Sequence, residues 1–198
     1  MSSRPFFLLT ACLFVLTIAM SVYVWQVRKN AQTVSPMRNT PRAVAPPGTG
    51  PGKPATLWIA NDNPGVLRTN SVSLPLSSER QRRAEELLRA LLNIYSAKDS
   101  PHPLPSTAEV HSVYFVDPGL VAVDVNSALA DGQTSGILAE ELTITSFVQT
   151  LTANQQGILR VKILVDGKER STLAGHADLS GTYDVDQVSS LAKQLSSQ

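Results

Sequence analysis

Apolar and polar residues alternate in the stretch that precedes Asp166. The apolar positions are Leu159, Val161, Ile163 and Val165, and Arg160 and Lys162 lie between them. A period of two with β-branched residues predicts a half-buried strand. Asp166-Gly167 then predicts a type I′ turn, because both central residues of that turn need a positive φ. We expect the chain to reverse there and to return through an ordered loop that bends at Gly175.

Two further pairs of short apolar runs predict hairpins. Leu57–Ala60 and Val66–Leu74 are separated by Asn-Asp-Asn-Pro-Gly, and Val110–Val116 and Leu120–Val125 are separated by Asp-Pro-Gly. These separating residues are the ones that turns favour. The sequence therefore predicts an N-terminal hairpin and a central hairpin.

Two segments carry apolar residues at helical spacing. Ser78 with Gln81 predicts a capping box at the start of the first helix. The apolar positions of this helix are Ala84, Leu87, Leu88, Leu91, Leu92 and Tyr95. Residues 126–135 predict a polar loop, and a second helix follows from Gly136 to a stop near Gly157.

The stripe of the second helix contains a charge. Its apolar positions are Ile137, Ile144, Val148 and Leu151. Glu141 falls between the first two of these, where a charge is costly unless it is paired. We expect a hydrogen bond to a loop backbone or a basic side chain there.

The order of hairpin, helix, hairpin, helix and strand predicts an α+β two-layer sandwich. In this fold a mixed sheet has both helices packed on one face. The domain should span residues 55–183, and residues 184–198 should form a short helix or a tail.

The N-terminus predicts a membrane anchor. Pro5–Val27 is uncharged and mostly apolar, which is long enough to cross a bilayer. A cleaved signal peptide and a lipoprotein modified at Cys12 are the alternatives. The apolar run before Cys12 is short for a signal sequence, and it continues far past that residue. We interpret residues 1–29 as an uncleaved signal anchor and the Pro/Gly-rich residues 30–54 as a semi-extended linker.

Net charge and cysteine content limit the classes of partner and covalent cross-link that the chain can have. The chain of 198 residues has a formal net charge of +1, which argues against a nucleic-acid partner. Cys12 is the single cysteine of the chain, so no intramolecular disulfide forms. The basic residues after the anchor outnumber Arg4, which by itself favours a cytoplasmic C-terminus.

Catalytic chemistry has little support in the sequence. His102, His111 and His176 are far apart and match no metal-binding spacing, and no nucleophile or phosphate-binding motif is present. His176 with Asp178 has the residue types of a base and its orienting carboxylate, but a loop-capping pair is the simpler interpretation. Glu140 and Glu141 are half of a carboxylate pair at most. We predict no enzymatic activity, no cofactor and no metal.

The C-terminal motif resembles a known family. Val-Asp-Gly-Lys, followed by Leu-x-Gly-His-x-Asp-Leu-Ser, is similar to the end of the GerMN domain, the sporulation and spore germination module of bacterial envelope proteins. The likeness extends back to about Leu57, but before this motif it consists only of a similar pattern of strands, helices and turns. The residues that carry it are Glu141, Asp166, Gly167, Gly175, His176 and Asp178. The resemblance implies an extracytoplasmic domain on the bacterial inner membrane and no defined reaction.

Two functions follow as expectations. The first is an interaction module that docks on other envelope proteins or on itself through a sheet edge. The alternative is a module that binds cell-wall glycan or peptide, for which Trp58 and Tyr183 are the aromatic candidates. For the membrane orientation we follow the extracytoplasmic location that the resemblance implies, although the basic residues after the anchor favour the opposite orientation.

Overall fold

The computed structural model describes Met20, residues 52–116 and residues 118–196. Apart from Met20, the predicted anchor lies outside the described residues, as do Cys12 and nearly all of the predicted linker. None of the helices within the described residues is both long enough and apolar enough to cross a membrane.

The described chain folds into two sheets and four helices. The elements are β1 (Lys53–Asn61), β2 (Val66–Leu74), α1 (Arg80–Tyr95), β3 (Val110–Val116), β4 (Leu120–Val125), α2 (Ser127–Gly132), α3 (Ile137–Asn154), β5 (Arg160–Val165), β6 (Tyr183–Asp184) and α4 (Val185–Ser196). Strands β1 and β2 form an antiparallel hairpin, and the second sheet has the order β3-β4-β5-β6. Strand β4 runs parallel to β5 and antiparallel to β3, so this sheet is mixed.

The predicted α+β class and the mixed sheet are therefore confirmed, with two differences. The N-terminal hairpin forms a separate two-stranded sheet instead of joining the larger one. Helix α2 was also not predicted: it replaces most of the predicted polar loop, because the Asn126 side chain caps it by accepting the N–H of Leu129 at 3.0 Å. Helix α4 is one of the two forms expected for residues 184–198, a short helix or a tail, and it buries Val188, Ala192 and Leu195.

The free edge of β1 is closed by side chains instead of by another strand. The N–H groups of alternate β1 residues point away from β2 and donate to side-chain oxygens. These bonds join Thr56 to Asn154 Oδ1 at 2.9 Å, Trp58 to Thr150 Oγ1 at 3.0 Å, and Ala60 to the Tyr95 hydroxyl at 2.8 Å. The hairpin is thereby joined to α3 and α1, and the β1 edge has no N–H groups left at these positions for an additional strand.

Helix α1 buries all six predicted apolar positions. Its predicted capping box is wrong: the helix begins at Arg80, and no side chain caps its first turn. The Ser77 hydroxyl accepts the N–H of Glu79 instead, and the Ser77 N–H donates to Glu86 Oε2 at 2.7 Å. The hydrogen bonds that hold the chain before α1 therefore come from Ser77, one residue before the predicted capping residue Ser78.

Helix α3 is buried around most of its circumference. Ile144, Val148 and Leu151 are buried as predicted, but Ile137 is 63% exposed. Polar residues such as Thr143 and Ser146 are as deeply buried as the apolar ones. A helix that is enclosed on several sides has no single apolar stripe, so its spacing does not identify which residues face the core.

The turn after β5 matches the prediction. Asp166 and Gly167 have φ values of 50° and 71°. Val165 and Lys168 exchange both main-chain hydrogen bonds across them, at 2.9 and 3.0 Å, which confirms the type I′ turn. Val161, Ile163 and Val165 of β5 are buried as predicted, whereas Leu159, which precedes the strand, is 61% exposed. Lys162, predicted on the polar face, is buried because β5 lies inside the sheet.

Candidate functional site

The loop of residues 171–181 is organised around the carboxylate of Glu140. Glu140 lies in the first turn of α3 and is 0% exposed. Its Oε2 accepts the N–H groups of Ala174 at 3.0 Å, His176 at 2.9 Å and Ala177 at 2.8 Å. Its Oε1 accepts the N–H of Gly136 at 3.2 Å. One buried carboxylate therefore provides the acceptor for both the loop and the start of the helix.

These bonds determine the charge of Glu140. Burial by itself raises the pKa of the carboxyl group, because it disfavours the ionised form. The N–H groups of Ala177, His176 and Ala174, together with the His176 ring, outweigh burial and lower the pKa to about 2. The group is thus ionised at neutral pH, and its negative charge is held by donors of the loop.

His176 adds its ring to this cluster. Its Nδ1 lies 3.0 Å from Glu140 Oε1 and 3.3 Å from Ser135 Oγ. A serine–histidine–acid relay uses one ring nitrogen for the hydroxyl and the other for the acid. Here both partners meet the same nitrogen, and Ser135 Oγ donates to the Ala174 carbonyl at 2.9 Å. The geometry orders the loop and does not prepare Ser135 for proton transfer.

Asp178 belongs to a separate turn. Its Oδ1 accepts the N–H of Ser180 at 2.8 Å and the Ser180 hydroxyl at 2.6 Å. The Ser180 hydroxyl, with its N–H, lowers the pKa of Asp178. His176 and Asp178 share no hydrogen bond in the described chain, so the proposed pairing of these two side chains is not formed.

The buried charge of α3 is one residue away from the position chosen from the sequence. Glu141, the predicted paired charge, is only partly buried, and Glu140 fills the role instead. Adjacent helical residues are about 100° apart around the axis, so a one-residue difference selects another face. The signal that favours Glu140 is its place in the first turn, where an acidic side chain reaches back to an N–H at the helix start.

A second polar cluster joins distant segments. His102 Nδ1 lies 2.6 Å from Asp62 Oδ1, and His102 Nε2 lies 2.7 Å from Thr143 Oγ1. This order of acid, imidazole and hydroxyl has the connectivity of a catalytic triad. However, Thr143 is 0% exposed and also contacts Gln133 Oε1 at 2.9 Å. A substrate carbonyl has no access to that hydroxyl, so the cluster acts as a buried structural network.

This second cluster cannot be recognised from the sequence. There His102 is only one of three histidines that lie far apart along the chain. Asp62 lies in the turn of the first hairpin, and Thr143 lies in α3. No spacing rule connects segments that are so far apart along the chain.

The turn residues of the motif are held by Asp124 in the neighbouring strand. Asp124 is buried, and its Oδ1 accepts the N–H of Gly167 at 2.7 Å. Asp166 Oδ1 accepts the N–H of Ser127 at 3.3 Å. Asp166 and Gly167 thus connect the end of β5 to β4 and α2.

The two aromatic candidates, Trp58 and Tyr183, are engaged in contacts within the domain. Trp58 packs against the hydrophobic core, and the Tyr183 hydroxyl donates to the carbonyl of Asp178 at 2.7 Å. Burial and the nearby acidic groups raise the pKa of Tyr183 to about 12. Among the described residues, no three histidine, cysteine, aspartate or glutamate side chains form a group able to hold a metal ion.

Comparison with known proteins gives one family. A family model described as sporulation and spore germination matches residues 56–171. The tandem GerMN domains of the sporulation protein GerM from Bacillus subtilis have a similar fold, with 19% identity and a TM-score of 0.51 over 69% of this chain and 47% of that chain. This chain thus spans about half the length of that structure. A comparison with curated protein sequences gave no match.

Two weaker structural similarities were also found. The first GerMN domain of the same protein shows 18% identity and a TM-score of 0.48, over 64% of this chain and 92% of that chain. A Clostridium perfringens protein classed as a lipoprotein shows 18% identity and a TM-score of 0.48, over 73% of this chain and 95% of that chain.

Proposed function

The chain belongs to the sporulation and spore germination family of GerMN domains, and from this membership we propose that it is a non-enzymatic interaction module of the bacterial cell envelope. In this proposal the N-terminal segment anchors the protein in the inner membrane, and the domain lies on the extracytoplasmic side. The domain binds other envelope proteins or a second copy of itself through a strand edge.

The observation that carries the proposal is the open edge of β2. Thr69 and Ser71 pair with Trp58 and Thr56, whose N–H groups point away from β2. Residues opposite each other in an antiparallel pair have the same orientation, so Thr69 and Ser71 direct their main-chain groups away from β1. Both residues are exposed. In the described part of the chain, no group hydrogen-bonds to them from that side.

The other edges are protected. Side chains from α1 and α3 close the β1 edge, as described above. Strand β3 carries a register irregularity between Val110 and Ser112, and Glu85 Oε1 accepts the N–H of Val113 at 3.4 Å. Strand β6 has two residues. Bulges, short strands and covering groups are the usual means of preventing strand addition. Strand β2 is nine residues long and has no bulge, and α4, which packs against it, forms no hydrogen bond with Thr69 or Ser71 within the described residues.

The chemistry of the site also favours a binding role. Glu140 directs its charge at loop N–H groups, Thr143 is buried, and Ser135 and Glu140 meet a single nitrogen of His176. These groups order the domain and expose no nucleophile with a base. Binding of cell-wall glycan is the weaker alternative, because the aromatic side chains it requires are engaged in packing and hydrogen bonding.

In-cell photo-crosslinking tests the proposal. A photoreactive amino acid at Thr69 of the full chain should give covalent protein products, and the same residue at Thr134, an exposed loop position, should not. Ser71→Pro should remove these products, because it eliminates an outward N–H while leaving the bonds to β1 intact. Products that are equal at both positions, or retention of the Ser71→Pro protein on purified cell-wall sacculi, would contradict the proposal.

A further inference from the structure

We infer that the partner of the β2 edge is a second copy of this chain, paired antiparallel through β2 to form a continuous four-stranded sheet with the order β1-β2-β2-β1. The inference rests on the proposed function and specifies its partner. It depends on the orientation of the main-chain groups, the register that they allow, and the closure of the opposite edge.

The register follows from the middle of the strand. Strand β2 pairs with β1 over nine consecutive residues without a bulge, so its outer edge is regular. A two-fold axis at Asn70, the central residue, places Thr69 of one copy opposite Ser71 of the other. Both residues direct their main-chain groups outward, so each such pair exchanges two hydrogen bonds. This register uses the full length of the strand.

The side chains are compatible with pairing to an identical strand. Arg68 is the one charged residue of β2. In this register Arg68 faces Val72 of the other copy, so like charges do not meet. Asn70 faces Asn70, and the residues beside it are Thr69 and Ser71. An edge designed to repel another strand carries lysine or proline, and β2 has neither.

The assembly ends at two copies. The outer edge of each β1 is closed by Asn154, Thr150 and Tyr95. A third copy therefore finds no open edge on β1 within the described residues, and the interface is isologous and closed instead of fibrous. A single pair of strands gives a weak contact in solution. The predicted anchor would place both copies in one membrane and raise their effective concentration.

Disulfide formation at the proposed axis gives a direct test. The full chain with Cys12→Ser would carry Asn70→Cys and be treated in membranes with a mild oxidant. Facing residues of a non-hydrogen-bonded antiparallel pair have Cα atoms about 4.5 Å apart, which is within reach of a disulfide. Arg68→Cys is the matched control, because its two copies would be about 13 Å apart along the strand. We expect a covalent dimer for Asn70→Cys and little for Arg68→Cys.

Two variants test the contact itself. Ser71→Pro in the Asn70→Cys protein should reduce the covalent dimer by about tenfold or more, with unchanged protein level. If that proline lowers the protein level, Asn70→Asp without the cysteine replaces it. Asn70→Asp places like charges opposite each other and should reduce chemical cross-linking between copies.

The outcomes separate this inference from the proposed function. Equal dimer yields at positions 68 and 70, or yields that Ser71→Pro and Asn70→Asp leave unchanged, would overturn the inference. If the photoreactive residue at position 69 still cross-linked a different protein in cells, the proposed interaction function would stand with another partner. If it cross-linked no protein, both the inference and the proposed function would fail.

Discussion

Replacing Glu140 by glutamine tests whether the buried carboxylate holds the C-terminal loop. The change keeps the shape of the side chain and removes its charge. Glutamine has one oxygen for the N–H groups of Ala174, His176 and Ala177, and its amide nitrogen would then face the N–H of Gly136. At least one buried donor loses its acceptor, and the other bonds lose the assistance of the charge.

The magnitude can be worked from these contacts. An unsatisfied buried donor costs about 1–3 kcal/mol, and hydrogen bonds to a charged group contribute about 1.5–3 kcal/mol against about 1 for neutral ones. The bonds share one oxygen and are not additive, so we expect a loss of about 3–5 kcal/mol in the free energy of unfolding. This is a large part of the roughly 5–15 kcal/mol that stabilises a typical domain.

Urea denaturation of the purified protein measures this loss as a lower midpoint at constant slope. The matched control is Glu141→Gln, at the neighbouring and more exposed position. It should change the free energy of unfolding by no more than about 0.5 kcal/mol. A loss below about 1 kcal/mol for Glu140→Gln, or equal losses for the two variants, would refute the role assigned to Glu140.

The remaining predictions concern acid, the turn, the buried histidine and the topology. Because folding lowers the pKa of Glu140 from 4.5 to about 2, its contribution to stability is present above pH 4.5 and is lost as the pH falls from there towards 2; Glu140→Gln should remove that part of the acid-induced decrease, measured by unfolding at several pH values. Gly167→Val should cost more than about 1 kcal/mol in thermal unfolding, because φ is positive at that residue, whereas Gly181→Ala, with open space around it, should be nearly neutral. His102→Ala should cost about 2–4 kcal/mol, because it removes a buried ring and both of its hydrogen bonds; His111→Ala, whose ring is exposed and lies 3.7 Å from Asp124 Oδ2, is its control and should cost less, and equal losses would exclude a special role for the Asp62–His102–Thr143 cluster. A C-terminal alkaline phosphatase fusion should be active in cells, and a bright fluorescent fusion that folds only in the cytoplasm would reverse the predicted orientation.

Local signals in the sequence determined much of the fold. The spacing of apolar residues identified the buried face of α1, and both hairpins appeared where runs of strand-forming residues flank turn residues. Asp166-Gly167 predicted the type I′ turn correctly. These features are accessible from sequence because periodicity and φ preferences depend on neighbouring residues alone. The family resemblance was drawn from the stretch that contains this turn, and the match over residues 56–171 confirms the family, although that match ends before Gly175, His176 and Asp178.

Tertiary packing decided which polar groups are buried and what they bind. Glu140 and Glu141 are chemically identical neighbours, and the position of the loop against α3 buries Glu140 more deeply than Glu141. The β1 edge is closed by Asn154, a residue 98 positions from its partner Thr56. His102 likewise meets Asp62 and Thr143 across about 40 residues on each side. Hydrogen bonds between distant segments depend on how the whole chain packs, and no local pattern records them. For the same reason, the open edge of β2 becomes visible only once the other edges are seen to be closed.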